Sequence, residues 1–105
     1  MGAGERLTIK VSPAVSFAPA NLIVRTMIEA DAKNRAIEII AESEDFYRSS
    51  EIQLEGDKAP RTTIFEFRSM PSGTYDVKAI LRGANREPII YVHQQVNVIQ
   101  NANGR

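Results

Sequence analysis

The chain predicts an all-β protein, a two-sheet antiparallel β-sandwich of about seven strands. Three observations carry that expectation. Short stretches alternate apolar and polar residues with a period of two, the mark of half-buried strands. Clusters of Gly, Pro, Asn and Asp punctuate these stretches roughly every 8–15 residues. No clear helix interrupts the series; only Ala36–Glu42 reads two ways.

Leu7-Thr8-Ile9-Lys10-Val11 opens the alternation, and Pro13 breaks it before Val15 and Phe17 resume. Proline cannot donate to a ladder, so this split strand belongs at a sheet edge, where it can switch between sheets. Asn21 to Glu29 is rich in β-branched residues, with Leu22, Val24, Thr26 and Ile28 predicted inward and Ile23, Arg25, Met27 and Glu29 outward. Ala36-Ile-Glu-Ile-Ile-Ala-Glu42 has helix-forming residues, yet Ile37, Ile39 and Ala41 also alternate against Glu38, Ile40 and Glu42. The strands expected on both sides favour strand, while a helix over Ala30–Glu42 remains the other reading. Tyr47 to Leu54 is a further strand, followed by the turn cluster Glu55–Pro60. Arg61 to Arg68 places Thr63, Phe65 and Phe67 on the core face; burying each phenylalanine stabilises by roughly 1.5–3 kcal/mol. Met70–Gly73 is a turn, Thr74–Arg82 a strand with Tyr75, Val77, Ala79 and Leu81 inward, and Gly83–Pro88 a hairpin loop. Ile89 to Ile99 is the last strand, and its alternation slips at His93-Gln94-Gln95, which predicts a bulge.

A chain of 105 residues suits one domain, expected over residues 6–100, with 1–5 and 101–105 read as flexible ends or linker residues. At 43% hydrophobic and 25% charged it has the composition of an ordinary globular domain. Thirteen basic residues balance thirteen acidic ones, so the basic excess of a nucleic-acid binder is missing. There is no cysteine, which excludes disulfide, zinc-finger and thiol chemistry. No apolar run approaches the length of a membrane-spanning helix, and Met1–Glu5 show no signal-peptide pattern.

The segment Pro71-Ser-Gly-Thr-Tyr-Asp-Val-Lys-Ala79 resembles the start of the sixth strand in bacterial immunoglobulin-like and fibronectin-III-like domains. The resemblance extends to the strand rhythm of nearly the whole chain, although the motif itself is short. It implies an immunoglobulin-like sandwich and a tyrosine corner at Tyr75, whose hydroxyl would donate to a nearby backbone carbonyl and lock the crossover. The cysteine pair and the tryptophan of antibody domains are absent. The same phrase more weakly resembles carboxypeptidase-regulatory, transthyretin-like sandwiches, whose Asp-Gly-x-Phe turn is missing here. By resemblance the chain would be a domain of a larger exported bacterial protein, placed extracellularly, in the periplasm or on the cell surface.

His93 is the only histidine and has no evident nucleophile beside it; it reads as a strand-surface residue. Glu42, Glu44 and Asp45 form one acidic cluster and Glu55 with Asp57 another, but neither has a calcium-loop spacing. Phe46, Tyr47 and Tyr91 could stack on sugar rings. Asn34 and Arg35, with Asn85 and Arg86, lie in two loops that an immunoglobulin-like topology brings to the same end; they are the expected contact patch. Ile23, Met27 and Ile40, outward and apolar, suggest a second interface. No catalytic constellation is visible, so the chain is expected to be no enzyme and to need no cofactor and no metal. The expected function is a structural or protein-interaction module, its partner a protein or neighbouring domains of the same chain. Weak self-association is expected as well, and nucleic-acid binding and membrane insertion are not. The alternative is an accessory domain of an enzyme, binding carbohydrate or calcium.

Overall fold

The computed structural model describes residues 6–100. The sequence-derived ends, 1–5 and 101–105, lie outside the described residues. The strands are β1 (Leu7–Ser12), β2 (Val15–Phe17), β3 (Ala20–Ile28), β4 (Ala36–Glu42), β5 (Tyr47–Gln53), β6 (Thr62–Met70), β7 (Gly73–Arg82) and β8 (Pro88–Ile99), with one 3₁₀ turn at Gly56–Lys58. They form two sheets, β1-β3-β6 and β2-β8-β7-β4-β5, and one sheet curls into a half-barrel. Every pairing is antiparallel except that of β2 with β8.

The period-two pattern translates directly into the core. Leu22, Val24, Thr26 and Ile28 of β3 face inward, as do Ile37, Ile39 and Ala41 of β4 and Phe65 and Phe67 of β6. Tyr75, Val77, Ala79 and Leu81 of β7 complete the layer between the sheets. The ambiguous segment is strand β4 because it pairs with β5 on one side and β7 on the other. Those two ladders satisfy its backbone groups in the interior as well as a helix would, and they bury three apolar side chains together. The split at Pro13 sends β1 to the three-stranded sheet and β2 to the five-stranded one.

The bulge predicted at His93-Gln94-Gln95 does not occur. The β7–β8 register runs unbroken from Gly73 opposite Val98 to Leu81 opposite Ile90, and the shift lies between Leu81 and Arg82. The polar residue that looked like a slip is Gln94 on the inner side. Its Oε1 accepts from the Val11 N–H at 2.9 Å and its Nε2 donates to the Val11 carbonyl at 3.1 Å. One side-chain amide thereby supplies both backbone hydrogen bonds of Val11 on the free edge of β1, and ties β1 to β8.

At the β6–β7 turn the Tyr75 hydroxyl donates to the Pro71 carbonyl at 2.7 Å. The ring is fully buried, with Phe46 edge-on against it at 6.4 Å. At the opposite end the β5–β6 connection passes through Gly56, whose φ of 60° is left-handed. A Cβ there would meet the Ala32 carbonyl at 3.0 Å, so glycine is required for close approach as well as for backbone conformation.

Candidate functional site

The side chains that do not enter the core converge on the outer face of the five-stranded sheet. On β4 these are Glu38, Ile40 and Glu42; on β7, Asp76, Lys78, Ile80 and Arg82; on β8, Tyr91 and His93; on β5, Tyr47, Ser49 and Glu51. Strand alternation fixes each position, and the antiparallel registers put opposite charges beside each other. Lys78 Nζ reaches Glu42 at 3.3 Å, Arg82 reaches Glu38 at 3.0 Å, and His93 Nδ1 lies 3.0 Å from Asp76. Arg86, in the β7–β8 loop, grips Glu51 with both guanidinium nitrogens at 2.8 and 3.0 Å. The Arg86 hydrogen bond holds the Glu51 carboxyl below its ordinary range, and Glu51 in turn raises Arg86. Bonding to Glu42 raises Lys78. Between these pairs sit Ile40 and Ile80, each half-buried, and the Tyr91 ring stacks on His93 at 5.7 Å. The face therefore carries paired opposite charges and is bordered by two exposed tyrosines, Tyr47 and Tyr91.

The two loops of the expected patch lie at the same end, where the Arg35 N–H donates to the Arg82 carbonyl, and Arg35, Asn85 and Arg86 are exposed. Asn34 is fully buried: its Nδ2 donates to the Glu29 carbonyl at 3.0 Å, and its own carbonyl accepts from the Gly56 N–H. It holds two loops together and presents no side chain to a partner. Arg35 donates to the Ala32 and Asn34 carbonyls. Arg86, at a left-handed φ of 63°, is committed to Glu51, and the Asn85 N–H bonds the Glu87 carboxylate. Arg82 bonds the Arg86 carbonyl at 2.9 Å and ties that loop to the outer face.

The expected apolar interface also divides. Ile23 and Met27 lie on the outer face of the three-stranded sheet, near Ile64, whereas Ile40 lies on the outer face of the other sheet. Phe46 is packed between Tyr75 and the Arg48 guanidinium, which sits 5.2 Å above its ring. That leaves Tyr47 and Tyr91 as the exposed rings of the proposed sugar set. Glu44 and Asp45 border a pocket of about 220 Å³ with Ser43, Ser72, Gly73 and Thr74. Among the described residues no group of three or more His, Cys, Asp or Glu side chains is placed to hold a metal ion.

Sequence reasoning passed over Glu38, Lys78, Ile80 and Arg82. Alternation placed each on an outward face, but their pairing follows from register, and register depends on which strands become neighbours.

The fold is all-β in two sheets. No family model matches the chain, and no curated protein matches it. Solved structures do. A superoxide reductase (neelaredoxin) from Ignicoccus hospitalis superposes with a TM-score of 0.69 at 16% identity, covering 90% of this chain and 80% of that one. A point variant of that reductase gives 0.63 at 13% identity, covering 90% and 79%. A family 76 glycoside hydrolase from a bovine Bacteroides thetaiotaomicron strain gives 0.62 at 20% identity, covering 88% of this chain and 20% of that one.

These neighbours correct the expectation that the chain is no enzyme. A fold carried by superoxide reductases spans 90% of it, so the architecture is one on which catalysis occurs. At such identities the likeness concerns the fold, and function resides in the site. Superoxide reduction consumes an electron, and centres that deliver one are built on Cys, His or carboxylate ligands or on an organic cofactor. With no cysteine and one histidine in the chain, and with no metal-holding group among the described residues, this donor set does not fit a metal redox centre.

Proposed function

We propose that the chain is an immunoglobulin-like sandwich that binds a protein partner through the outer face of its five-stranded sheet. The strand order supports the first half. The first, third and sixth strands face the last, seventh, fourth and fifth, an order that corresponds to the A-B-E and G-F-C layers of immunoglobulin sandwiches. The bond from Tyr75 to a carbonyl four residues upstream supports it further. One observation carries the second half: two exposed tyrosines frame Ile40, Ile80 and a set of mutually paired charges on one sheet face. Tyrosine and arginine are enriched at protein interfaces, tyrosine because its ring offers a large contact area at low entropic cost. A photo-crosslinking residue at Tyr91 should trap a protein adduct in the source cells, whereas the same residue at Thr62, on the opposite sheet, should not. Equal adducts at both positions would remove the reading.

A second reading is favoured by one finding. The match to the glycoside hydrolase occupies only 20% of that enzyme's chain, the share of an accessory domain. On this reading Tyr91 and Tyr47 stack on sugar rings. A glycan-array signal lost in Tyr91→Ala supports it, and no signal for any glycan ends it.

A further inference from the structure

A sheet edge exposes one row of unpaired N–H and C=O groups, and folded proteins guard such rows. Three edges here each carry at least one such guard. β2 has three residues and lies between Pro13 and Pro19. The edge of β1 is met by the Gln94 amide. On β6 the Arg48 guanidinium covers one carbonyl, that of Arg68, at 2.8 Å, and the ladder with β3 is shifted between Ala20 and Leu22. The edge of β5, Tyr-Arg-Ser-Ser-Glu-Ile-Gln, has neither device: its register with β4 has no bulge, and among the described residues no side chain bonds its outward backbone groups.

The hydrogen-bond phase of β5 identifies which groups are free. Ser43 N–H donates to the Phe46 carbonyl, and Leu54 N–H donates to the Arg35 carbonyl. Antiparallel ladders alternate residue by residue, so Phe46, Arg48, Ser50, Ile52 and Leu54 turn their backbone groups toward β4. Tyr47, Ser49, Glu51 and Gln53 turn theirs outward, and these residues also carry the outer-face side chains.

We infer that β5 is a self-association edge, pairing antiparallel with β5 of a second copy about a two-fold axis through Ser50. This register is selected by three requirements. Both copies must offer outward-turned residues to each other, which demands that Tyr47, Ser49, Glu51 and Gln53 oppose one another. A two-fold axis perpendicular to the sheet keeps the outer faces on the same side, as the pleat requires. Like charges must not be opposed, since directly opposite like charges destabilise a ladder. Centring on Ser50 places Ser49 opposite the partner's Glu51 and Tyr47 opposite the partner's Gln53, so all four free residues are used. Centring on Glu51 would oppose two carboxylates, and centring on Ser49 would use fewer of the free groups. The five-stranded sheets then join into one continuous sheet carrying two copies of the outer face. This pairing is independent of what that face binds.

The test is the solution mass of the full chain against concentration, read by sedimentation equilibrium. The expected result is a rise from 11.7 kDa toward twice that value. Ser49→Glu, which opposes the partner's Glu51, should weaken the dimer by about fivefold, and Ser49→Lys should tighten it at low salt. Because the chain has no cysteine, Ser50→Cys supplies a lone thiol beside its symmetry mate. It should form a disulfide dimer under mild oxidation much faster than Gln53→Cys. Circular dichroism confirms that each variant is folded, and the cysteine pair decides the question if Ser49→Glu unfolds. A mass constant at 11.7 kDa at all concentrations, or equal crosslinking of the two cysteine variants, overturns the inference. So does a stable dimer indifferent to both charge substitutions.

Discussion

Tyr75 shows what one residue can hold. Its ring fills the core beside Phe46 while its hydroxyl leaves the core to bond Pro71. Pro71 is exposed, so water can replace part of that bond, and Tyr75→Phe should cost about 1 kcal/mol in urea unfolding. Burial, partly offset by Ser43 and by the Arg48 charge, raises the Tyr75 hydroxyl above its usual value of 10.0. The sign follows from linkage. Above pH 10 the unfolded chain releases this proton while the folded chain retains it, so stability present below pH 10 falls as pH rises further. Tyr75→Phe should flatten that alkaline slope, measured as melting temperature from pH 9 to 11. At the acid end Arg86 lowers the Glu51 carboxyl. The stabilisation from this pair is present above the ordinary carboxylate value and is lost as pH falls through the lowered one. Arg86→Ala should remove that part of the acid dependence.

At the scale of elements, the edges decide behaviour. The inner sides of β3, β4, β6 and β7 are legible as alternating apolar residues, and their places in the core follow. β8 was misread because Gln94 is polar at an inward position. A polar inward residue breaks an apolar pattern as a bulge would, and only the facing edge of β1 distinguishes the two. Gln94→Leu should therefore cost about 2–3 kcal/mol, the penalty of leaving the Val11 N–H and C=O without partners. That exceeds the effect of Tyr75→Phe and should appear in urea unfolding, with faster hydrogen exchange at the Val11 amide. A cost below that of Tyr75→Phe would show that water takes over the role of the Gln94 amide.

Over the whole molecule, the first and last strands meet. β2 pairs with β8, and β1 is joined to β8 through Gln94. Native pairing thus closes loops nearly as long as the domain before it is rewarded, and such topologies fold in milliseconds to seconds. Stopped-flow refolding should give a rate in that range, and microsecond folding would contradict it. A chain ending at Gly83 loses the partner of both β2 and β7 and should show no cooperative melt by circular dichroism. The zero net charge leaves little long-range repulsion between copies, a condition that the proposed β5 pairing also needs.

What the sequence determined by itself was the strand segments other than β4, which read as helix or strand, and the buried side of β3, β6 and β7. A period of two is a local property, and burying one face is enough to select it. Tyr75 was legible for the same reason, because its motif and its partner carbonyl lie within one turn. Tertiary structure alone decided the partners. Arg86 finds Glu51, Gln94 finds Val11, and Asn34 is drawn inside to join two loops. It also put Ile40 on the side of the molecule opposite Ile23 and Met27. These outcomes depend on strand order and register, which are set by contacts between residues far apart in the chain, and no local pattern encodes such contacts.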